Sequence, residues 1–326
     1  WLRKKRIFEY NPIFLLTFRF FQFFNINSHF FIIPSHPVPV ERFFVNLSKE
    51  DTNTWGWMFS DQVQFSEKEK KEGLEILKKF DINLNDKWIC IHNRDSSYLN
   101  KKLNETERET AHTHRNFSIH SLIYAAEYFA NSGYFVFRMG SFAKEHLISK
   151  NNRIIDYAFS PNKSEFADLY LLANCYAYFG SSAGLATLPI IKRKPTCYIN
   201  FSPFILHFLT NHNTLPTIFK QVRSTKTGQI LSFKEIFENN LFRLANYKLI
   251  TEKGYELIDN TSDEIKNLSV EVCQYLSGEH NYTMEEKEQQ KVFYDLILKY
   301  IDKKYLGKYR PTIGKYFIKK NLHLLT

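Results

Sequence analysis

Between residues 86 and 245, short apolar runs alternate with stretches whose apolar positions recur at helical spacing. The apolar run at 88–91 lies between charged residues and a polar string at 92–95, which is typical of a buried strand that ends in a loop. Near-continuous apolar strands separated by helices indicate a parallel sheet that is covered on both faces. Five strands are predicted, at 88–91, 134–137, 154–155, 175–179 and 195–199, with helices at 118–131, 164–173 and 185–191.

Helix signals outside this stretch suggest three regions. Ser66 and Glu69 form a capping box ahead of an apolar stripe that ends at Phe80, and the polar residues 81–86 mark a boundary. We therefore expect an N-terminal region at 1–85, a doubly wound, Rossmann-like α/β domain at 86–245, and a helical region at 246–326 that packs back on the N-terminal part. In the last region, helices are predicted at 262–276 and 283–305.

A Phe-rich segment at 13–24 follows a basic cluster at 3–6. Arg19 and Gln22 interrupt the segment, no small-residue cleavage site follows it, and it is well short of the roughly 20 apolar residues that span a bilayer. Two interpretations stay open: a helix on an anionic membrane surface, or a core helix of a truncated domain. Because the chain opens on Trp1 rather than Met, we expect the N-terminal region to be incomplete.

Composition narrows the classes of function. Of 326 residues, 44% are hydrophobic, which is enough for a packed core. The net charge of +10 would attract nucleic acid, anionic lipid or an anionic substrate alike, but the basic residues are scattered apart from the cluster at 3–6 and a C-terminal group at 303–320. This scatter disfavours a nucleic-acid partner and leaves a peripheral membrane contact open.

The spacing of cysteines and histidines indicates neither a structural zinc site nor a zinc hydrolase. The four cysteines are far apart, and three of them lie in apolar runs, so we expect reduced core thiols in a cytoplasmic protein. The sequence contains no CxxC pair and no HExxH motif, and we expect neither a bound metal nor a cofactor. The cysteines are Cys90, Cys175, Cys197 and Cys273.

Three predicted strands end in polar clusters that suit an anion. In an open parallel sheet, ligands bind outside the carboxyl ends of the strands. The turn at 180–184 lets the backbone approach a ligand and leads into a predicted helix N-terminus, while Arg94 supplies charge for a diphosphate. The predicted phosphate-binding residues are Arg94, Gly180, Ser181, Ser182, Gly184 and, with a salt bridge to Asp156 or Asp168 as its alternative, Arg138.

Other polar residues near these strand ends are candidates for catalysis and sugar binding. A transfer with inversion needs a base, and Asp95, His92 and His114 are the candidates, between which the sequence does not decide. Arg115 and Asn116 lie in a long polar loop and are predicted to contact the acceptor or the donor sugar. Glu165 and Asp168, three apart on a helix, are candidates for ribose or base contact, or for a solvated or capping role.

Two alternatives come from different classes of protein. The turn at 180–184 also fits G-x-S-x-G, in which Ser182 would be the nucleophile of a serine hydrolase with His207 or His212 downstream. Such an enzyme places an acid and then a histidine after later strands, and only one later strand is predicted. The other alternative is a non-catalytic basic interaction module.

Several short motifs, taken in order, form a pattern of their own. They are His92-Asn93-Arg94-Asp95-Ser96, His114-Arg115-Asn116, Arg138-Met139-Gly140, Ile155-Asp156-Tyr157, Gly180-Ser181-Ser182-Ala183-Gly184, Lys194-Pro195, Asn200, Leu231-Ser232-Phe233-Lys234-Glu235-Ile236, Asp259-Asn260-Thr261, Glu264-Ile265 and Ile313-Gly314. This order resembles a bacterial family of surface-polysaccharide glycosyltransferases, from about residue 36 to the end. His92-x-Arg94 with a later Ser-rich turn is distantly similar to the GDP-binding arrangement of fucosyltransferases.

The resemblance implies a GT-B-like enzyme with its nucleotide sugar on the Rossmann-like domain and a partial acceptor-side region at 1–85. Arg94 then corresponds to the arginine that holds the pyrophosphate, and the acceptor would be a surface glycan or a lipid-linked glycan. Independently, no Asp-x-Asp occurs in the chain, so the leaving-group charge is expected to be met without a metal. The expected location is the cytoplasm, or the inner face of the membrane.

Overall fold

The computed structural model describes residues 64–95, 113–141, 143–202, 215–243, 247–301 and 312–326. Its centre is a five-stranded, all-parallel sheet in the order β3-β2-β1-β4-β5. This order matches the first five strands of a doubly wound, Rossmann-like sheet, so the predicted α/β class is confirmed. The strands are β1 (Trp88–His92), β2 (Phe135–Arg138), β3 (Ile154–Ile155), β4 (Ala177–Gly180) and β5 (Thr196–Tyr198).

Four helices begin at capping boxes. At the start of α1, the Ser66 hydroxyl accepts the backbone N–H of Glu69, and the Glu69 carboxylate accepts that of Ser66. Equivalent boxes start α5, α7 and α8. The α-helices are α1 (Glu67–Lys78), α2 (Ile123–Asn131), α3 (Glu165–Asn174), α4 (Thr187–Ile191), α5 (Phe233–Glu238), α6 (Tyr247–Glu252), α7 (Ser262–Ser277), α8 (Met284–Tyr300) and α9 (Lys315–Lys320).

Helices cover both faces of the sheet. On one face, the Trp88 indole N–H donates to the carbonyl of Leu171 in α3, at 2.9 Å. On the other face, Phe129 of α2 packs edge-on against Phe179 of β4, with ring centroids 5.1 Å apart. Since side chains alternate along a strand, Trp88 and Ile91, the register partner of Phe179, point to opposite faces. The α1 and α4 helices pack against α3, and α7 packs against α2.

Beyond residue 200 the fold departs from the prediction. A second sheet pairs β6 (Gln221–Ser224) with β7 (Tyr255–Ile258) in antiparallel fashion, so the expectation of helices alone after residue 245 is wrong at β7. Short strands with one buried residue, such as Val222 in β6, give no apolar run to detect. The pairing also joins the two sides of the predicted boundary at 245.

Some predictions concern parts of the chain that the structure does not describe. The segment at 13–24, most of the partial region at 1–85 and the end of the helix predicted to reach residue 305 lie outside the described residues. The C-terminal helices contact the sheet domain through α7, and their packing on residues 1–63 stays a prediction. No helix in the described ranges combines the length and apolar character needed to cross a bilayer.

Candidate functional site

The predicted strand ends come together at the point where the sheet reverses its strand order. The β1 and β4 strands are neighbours in the sheet, and β2 and β5 lie outside them. In doubly wound sheets this switch point opens the crevice in which ligands bind. Gly180 is required there, because a Cβ at this position would come within 2.2 Å of the His92 carbonyl oxygen.

A buried histidine–serine pair crosses the switch point. Nδ1 of His92 lies 2.9 Å from Oγ of Ser181, and both side chains are buried. The Tyr178 hydroxyl donates to the carbonyl of Ser181 at 2.8 Å, which holds the turn after β4 in place. Burial, followed by the positive charges of Arg138, Arg94 and Arg115, lowers the pKa of His92 to about 3. The imidazole is therefore neutral at physiological pH.

Two arginines from separate segments meet beside this pair. Arg94 and Asn116 form a parallel bridge, and the backbone N–H of Phe117 donates to the Arg94 carbonyl at 3.0 Å. Arg115 therefore lies next to Arg94, and its Nη1 donates to the Ser182 carbonyl in the turn after β4, at 2.8 Å. Burial, followed by the charge of Arg94, lowers the pKa of Arg115 to about 9. Two like charges are thus held close together, on side chains that are both half-buried.

Arg138 has its charge neutralised within the protein. Its side chain is only 1% exposed, with Nη1 3.4 Å from a carboxylate oxygen of Asp156 and Nη2 3.3 Å from Oδ1 of Asn93. Burial lowers the pKa of Arg138 and Asp156 opposes that shift. The alternative to phosphate binding, a salt bridge to Asp156, is therefore present in the structure.

Several buried polar atoms cluster around Arg115 without hydrogen-bond partners among the described residues. They belong to the loop at 113–116 and to the turn after β4. Buried polar groups in folded proteins are nearly always hydrogen-bonded, and exceptions call for an explanation such as a bound ligand. These atoms are Arg115 Nε, Thr113 Oγ1, Asn116 Oδ1 and Ser182 Oγ.

The helix that follows the turn is shorter than predicted. Residues Gly184–Ala186 form a 3-10 turn, and α4 is only five residues long. Because the macrodipole needs aligned peptide units, so short a helix contributes little to anion binding. Charge for an anion comes instead from the guanidinium groups.

The three candidate bases lie in different surroundings. His92 is surrounded by arginines, and His114 is buried in the 3-10 turn Thr113–Arg115. Asp95 is half-buried, and its Oδ2 accepts the backbone N–H of Lys144 at 3.0 Å. Arg115 reaches the turn that carries Ser182. Contact of Arg115 and Asn116 with the acceptor or the donor sugar stays a prediction.

Glu165 and Asp168 differ from each other. Glu165 is exposed in the first turn of α3, whereas Asp168 is buried against the sheet. Desolvation raises the pKa of Asp168 to about 6, and nearby Lys163 opposes the shift. Lys163 donates to the carbonyls of Gly140, Ser141 and Ala158. The side chains of Lys163 and Asp168 therefore contact other parts of the protein.

The geometry does not favour Ser182 as a hydrolase nucleophile. The serine that contacts a histidine is Ser181, and the low pKa of His92 makes that imidazole a poor proton acceptor. Ser182 is also not among the described residues with positive φ, whereas a nucleophile elbow is a strained turn. His207 and His212 lie outside the described residues.

Lys220 also belongs to this region, although no sequence motif indicated it. Lys220 is buried beside Asn116, to whose carbonyl its ammonium donates at 2.7 Å. The available signal was a lysine directly after the apolar pair Ile218-Phe219, where burial of a charge calls for a partner. No group of three or more His, Cys, Asp or Glu in the described ranges is arranged to hold a metal ion.

The chain was compared with protein-family models, with curated proteins and with solved structures, and none of the three comparisons finds a match.

Proposed function

We propose that this protein is a glycosyltransferase that binds a nucleotide-sugar donor at the switch point of its sheet and transfers the sugar to a surface glycan or a lipid-linked glycan. The observation that carries the proposal is the meeting of Arg94 and Arg115 beside the Gly180–Gly184 turn, next to buried polar atoms of Thr113, Asn116 and Ser182 that have no hydrogen-bond partner within the described ranges. The motif order that resembles surface-polysaccharide glycosyltransferases supports the same function.

Electrostatics favours a diphosphate at this site. Holding two half-buried guanidinium groups close together is costly because like charges repel, and a bound anion offsets that cost. Phosphate oxygens accept charge-assisted hydrogen bonds from guanidinium donors, and a diphosphate leaving group gains charge as its bond to the sugar breaks. Arg115 has no carboxylate partner among the described residues, which makes it the second phosphate ligand beside Arg94. Ser181, Ser182, Gly180 and Gly184 shape the turn that faces the diphosphate.

The other polar residues support the site or supply the base. Arg138 supports the site through Asn93 and Asp156, and His92 orients Ser181. The base that activates the acceptor hydroxyl is then Asp95 or His114, since an imidazole of such low pKa is a poor base. The reaction needs no metal, and the architecture is GT-B-like with the acceptor on residues 1–85. The enzyme works in the cytoplasm or at the inner face of the membrane.

The test measures nucleotide binding by thermal shift with GDP, UDP, CDP and CMP in turn. We expect one nucleoside diphosphate to raise the melting temperature, because a ligand that binds only the folded state stabilises it. Arg94→Ala and Arg115→Ala should each weaken its binding by about 10- to 100-fold, as loss of a charged hydrogen bond predicts.

Arg153→Ala is the matched control. Arg153 is exposed, donates to the Gly133 carbonyl and precedes β3, at the far edge of the sheet. Its replacement should leave nucleotide binding unchanged. A folded wild-type protein that responds to none of the four nucleotides would exclude the proposal, and retention on anionic vesicles without any nucleotide effect would favour the interaction module.

A further inference from the structure

We propose that Lys220 is a positioning residue of the anion site, which holds the loop at 113–117 so that Arg115 reaches the turn after β4. The role that we assign to Lys220 rests on the proposed function, whereas the contacts of Lys220 do not depend on it. Lys220 is only 4% exposed, and a lysine is rarely buried so completely unless it is paired.

The ammonium of Lys220 joins two segments that are distant in sequence. Nζ donates to the Asn116 carbonyl at 2.7 Å and lies 2.6 Å from a carboxylate oxygen of Asp259. Asn116 forms the bridge to Arg94, and Arg115 directly precedes it. The lysine therefore fixes the peptide that immediately follows Arg115.

The partners of Lys220 are themselves held rigidly. Asn260, next to Asp259, exchanges two hydrogen bonds with Asn200, of 2.7 and 2.6 Å, and donates to the Phe219 carbonyl at 2.8 Å. The backbone N–H of Lys220 donates to the Phe201 carbonyl at 3.3 Å. A rigid frame on the β5 side of the sheet thus determines where the ammonium lies.

Lys220 fixes the position of the loop that carries Arg115, and this role is separate from its contribution to stability. Only the lysine of this ion pair is buried, and removing its ammonium from water costs free energy that contact with a half-exposed carboxylate offsets only in part. We infer that the ammonium serves to fix the geometry of the loop. Arg115 reaches the Ser182 carbonyl at 2.8 Å. The end of β1 holds the same loop from one side, through the Phe117 N–H to the Arg94 carbonyl and the Asn93 amide to the Phe117 carbonyl, and Lys220 holds the Asn116 carbonyl from the β5 side. Lys220 acts through Arg115 and contacts no substrate itself.

The test follows the position of Arg115 directly, by mass spectrometry of arginine modification with phenylglyoxal in the full chain. In the wild type we expect slow modification of Arg115. In Lys220→Met it should be about tenfold faster, the change that corresponds to losing one charged hydrogen bond. Asp259→Asn removes the charge of the partner carboxylate on a half-exposed side chain and should give a smaller increase. This variant decides the question if Lys220→Met does not fold.

Two controls distinguish a change in the position of Arg115 from a general loosening of the fold. Arg223→Met removes the neighbouring ion pair with Glu256 on the second sheet and should not change labelling of Arg115. Exposed Arg153 should react equally in every variant. Equal labelling of Arg115 in the wild type and in the folded Lys220 and Asp259 variants would overturn the proposal.

A second measurement connects the lysine to binding. With the nucleoside diphosphate that binds the wild type, Lys220→Met should weaken affinity about tenfold, and should have no further effect in an Arg115→Ala background. Additive losses would show that Lys220 does not act through Arg115. If no nucleotide binds the wild type, the proposed function fails, while the labelling result still decides the role of Lys220.

Discussion

Nδ1 of His92 and Oγ of Ser181 lie 2.9 Å apart in the interior, and this contact links the end of β1 to the turn after β4. The two residues are 89 positions apart in sequence, and they meet because β1 and β4 are neighbours at the switch point. The contact holds a neutral imidazole in the field of Arg94, Arg115 and Arg138. Several properties of the protein should depend on it.

The pH dependence of stability should carry the signature of His92. Its pKa is about 3 in the folded protein, against about 6.5 when unfolded, so the unfolded state binds the extra proton between these values. The contribution to stability is thus present above pH ~6.5 and is lost as the pH falls towards 3, by up to ~1.4 kcal/mol per pH unit. His92→Asn, whose amide can still contact Ser181, should flatten the curve of unfolding free energy against pH.

Urea unfolding between pH 7 and pH 4 measures this slope. His120→Gln is the control, because His120 is exposed at the start of the α2 segment. If the wild type and His92→Asn lose stability equally over this range, the buried histidine titrates normally and the electrostatic account of the site is wrong.

Gly180 and Gly184 should respond differently to the same substitution. A Cβ at Gly180 would come within 2.2 Å of the His92 carbonyl oxygen, whereas a Cβ at Gly184 would meet nothing within 4 Å. Gly180→Ala must push β1 and β4 apart and should lower the free energy of unfolding by roughly 3 kcal/mol or more, in the range of severe overpacking. Gly184→Ala should change it by less than about 1 kcal/mol. Chemical denaturation of the two variants measures the difference in unfolding free energy. Equal values for the two variants would show that β1 and β4 separate at this point at little cost.

Ser182 should not behave as a nucleophile. The imidazole nearest the turn contacts Ser181 and is a poor base, so no described group activates the Ser182 hydroxyl. A fluorophosphonate probe should leave the protein unlabelled at pH 7 and pH 9. Labelling that disappears in Ser182→Ala but persists in Ser181→Ala would support the hydrolase instead.

Asp168 should destabilise the fold once it ionises. Its pKa is raised to about 6 by burial, so its favourable contribution is present below pH ~3.8 and is lost as the pH rises through 6. The shift corresponds to about 3 kcal/mol. Asp168→Asn should therefore gain stability relative to the wild type between pH 4 and pH 7.

Asp263→Asn provides the comparison, since Asp263 lies exposed in the first turn of α7. Thermal unfolding across this pH range should show a relative gain for Asp168→Asn alone. A pH profile of Asp168→Asn that parallels the wild type would mean that the aspartate is already charged in the folded protein at low pH.

Local sequence signals predicted much of the sheet and its helices. The apolar run that became β1 is buried on both sides, and this property can be read without knowledge of its neighbours. The capping box of Ser66 and Glu69 is present because both partners lie three residues apart on one chain segment. β6 and β7 were missed because their stability comes from pairing with each other and from little burial of their own.

The sequence by itself determined the α/β class, the polar strand ends and the prominence of Arg94 and the Gly180–Gly184 turn, because each depends on residues close together in the chain. Only the tertiary structure decided that β1 adjoins β4, that Arg115 reaches Ser182 and that Lys220 reaches Asn116. These contacts join positions 67 and 104 residues apart. Strand order depends on packing and hydrogen bonding over the whole sheet. The apolar run of one strand does not determine which other strands pair with it.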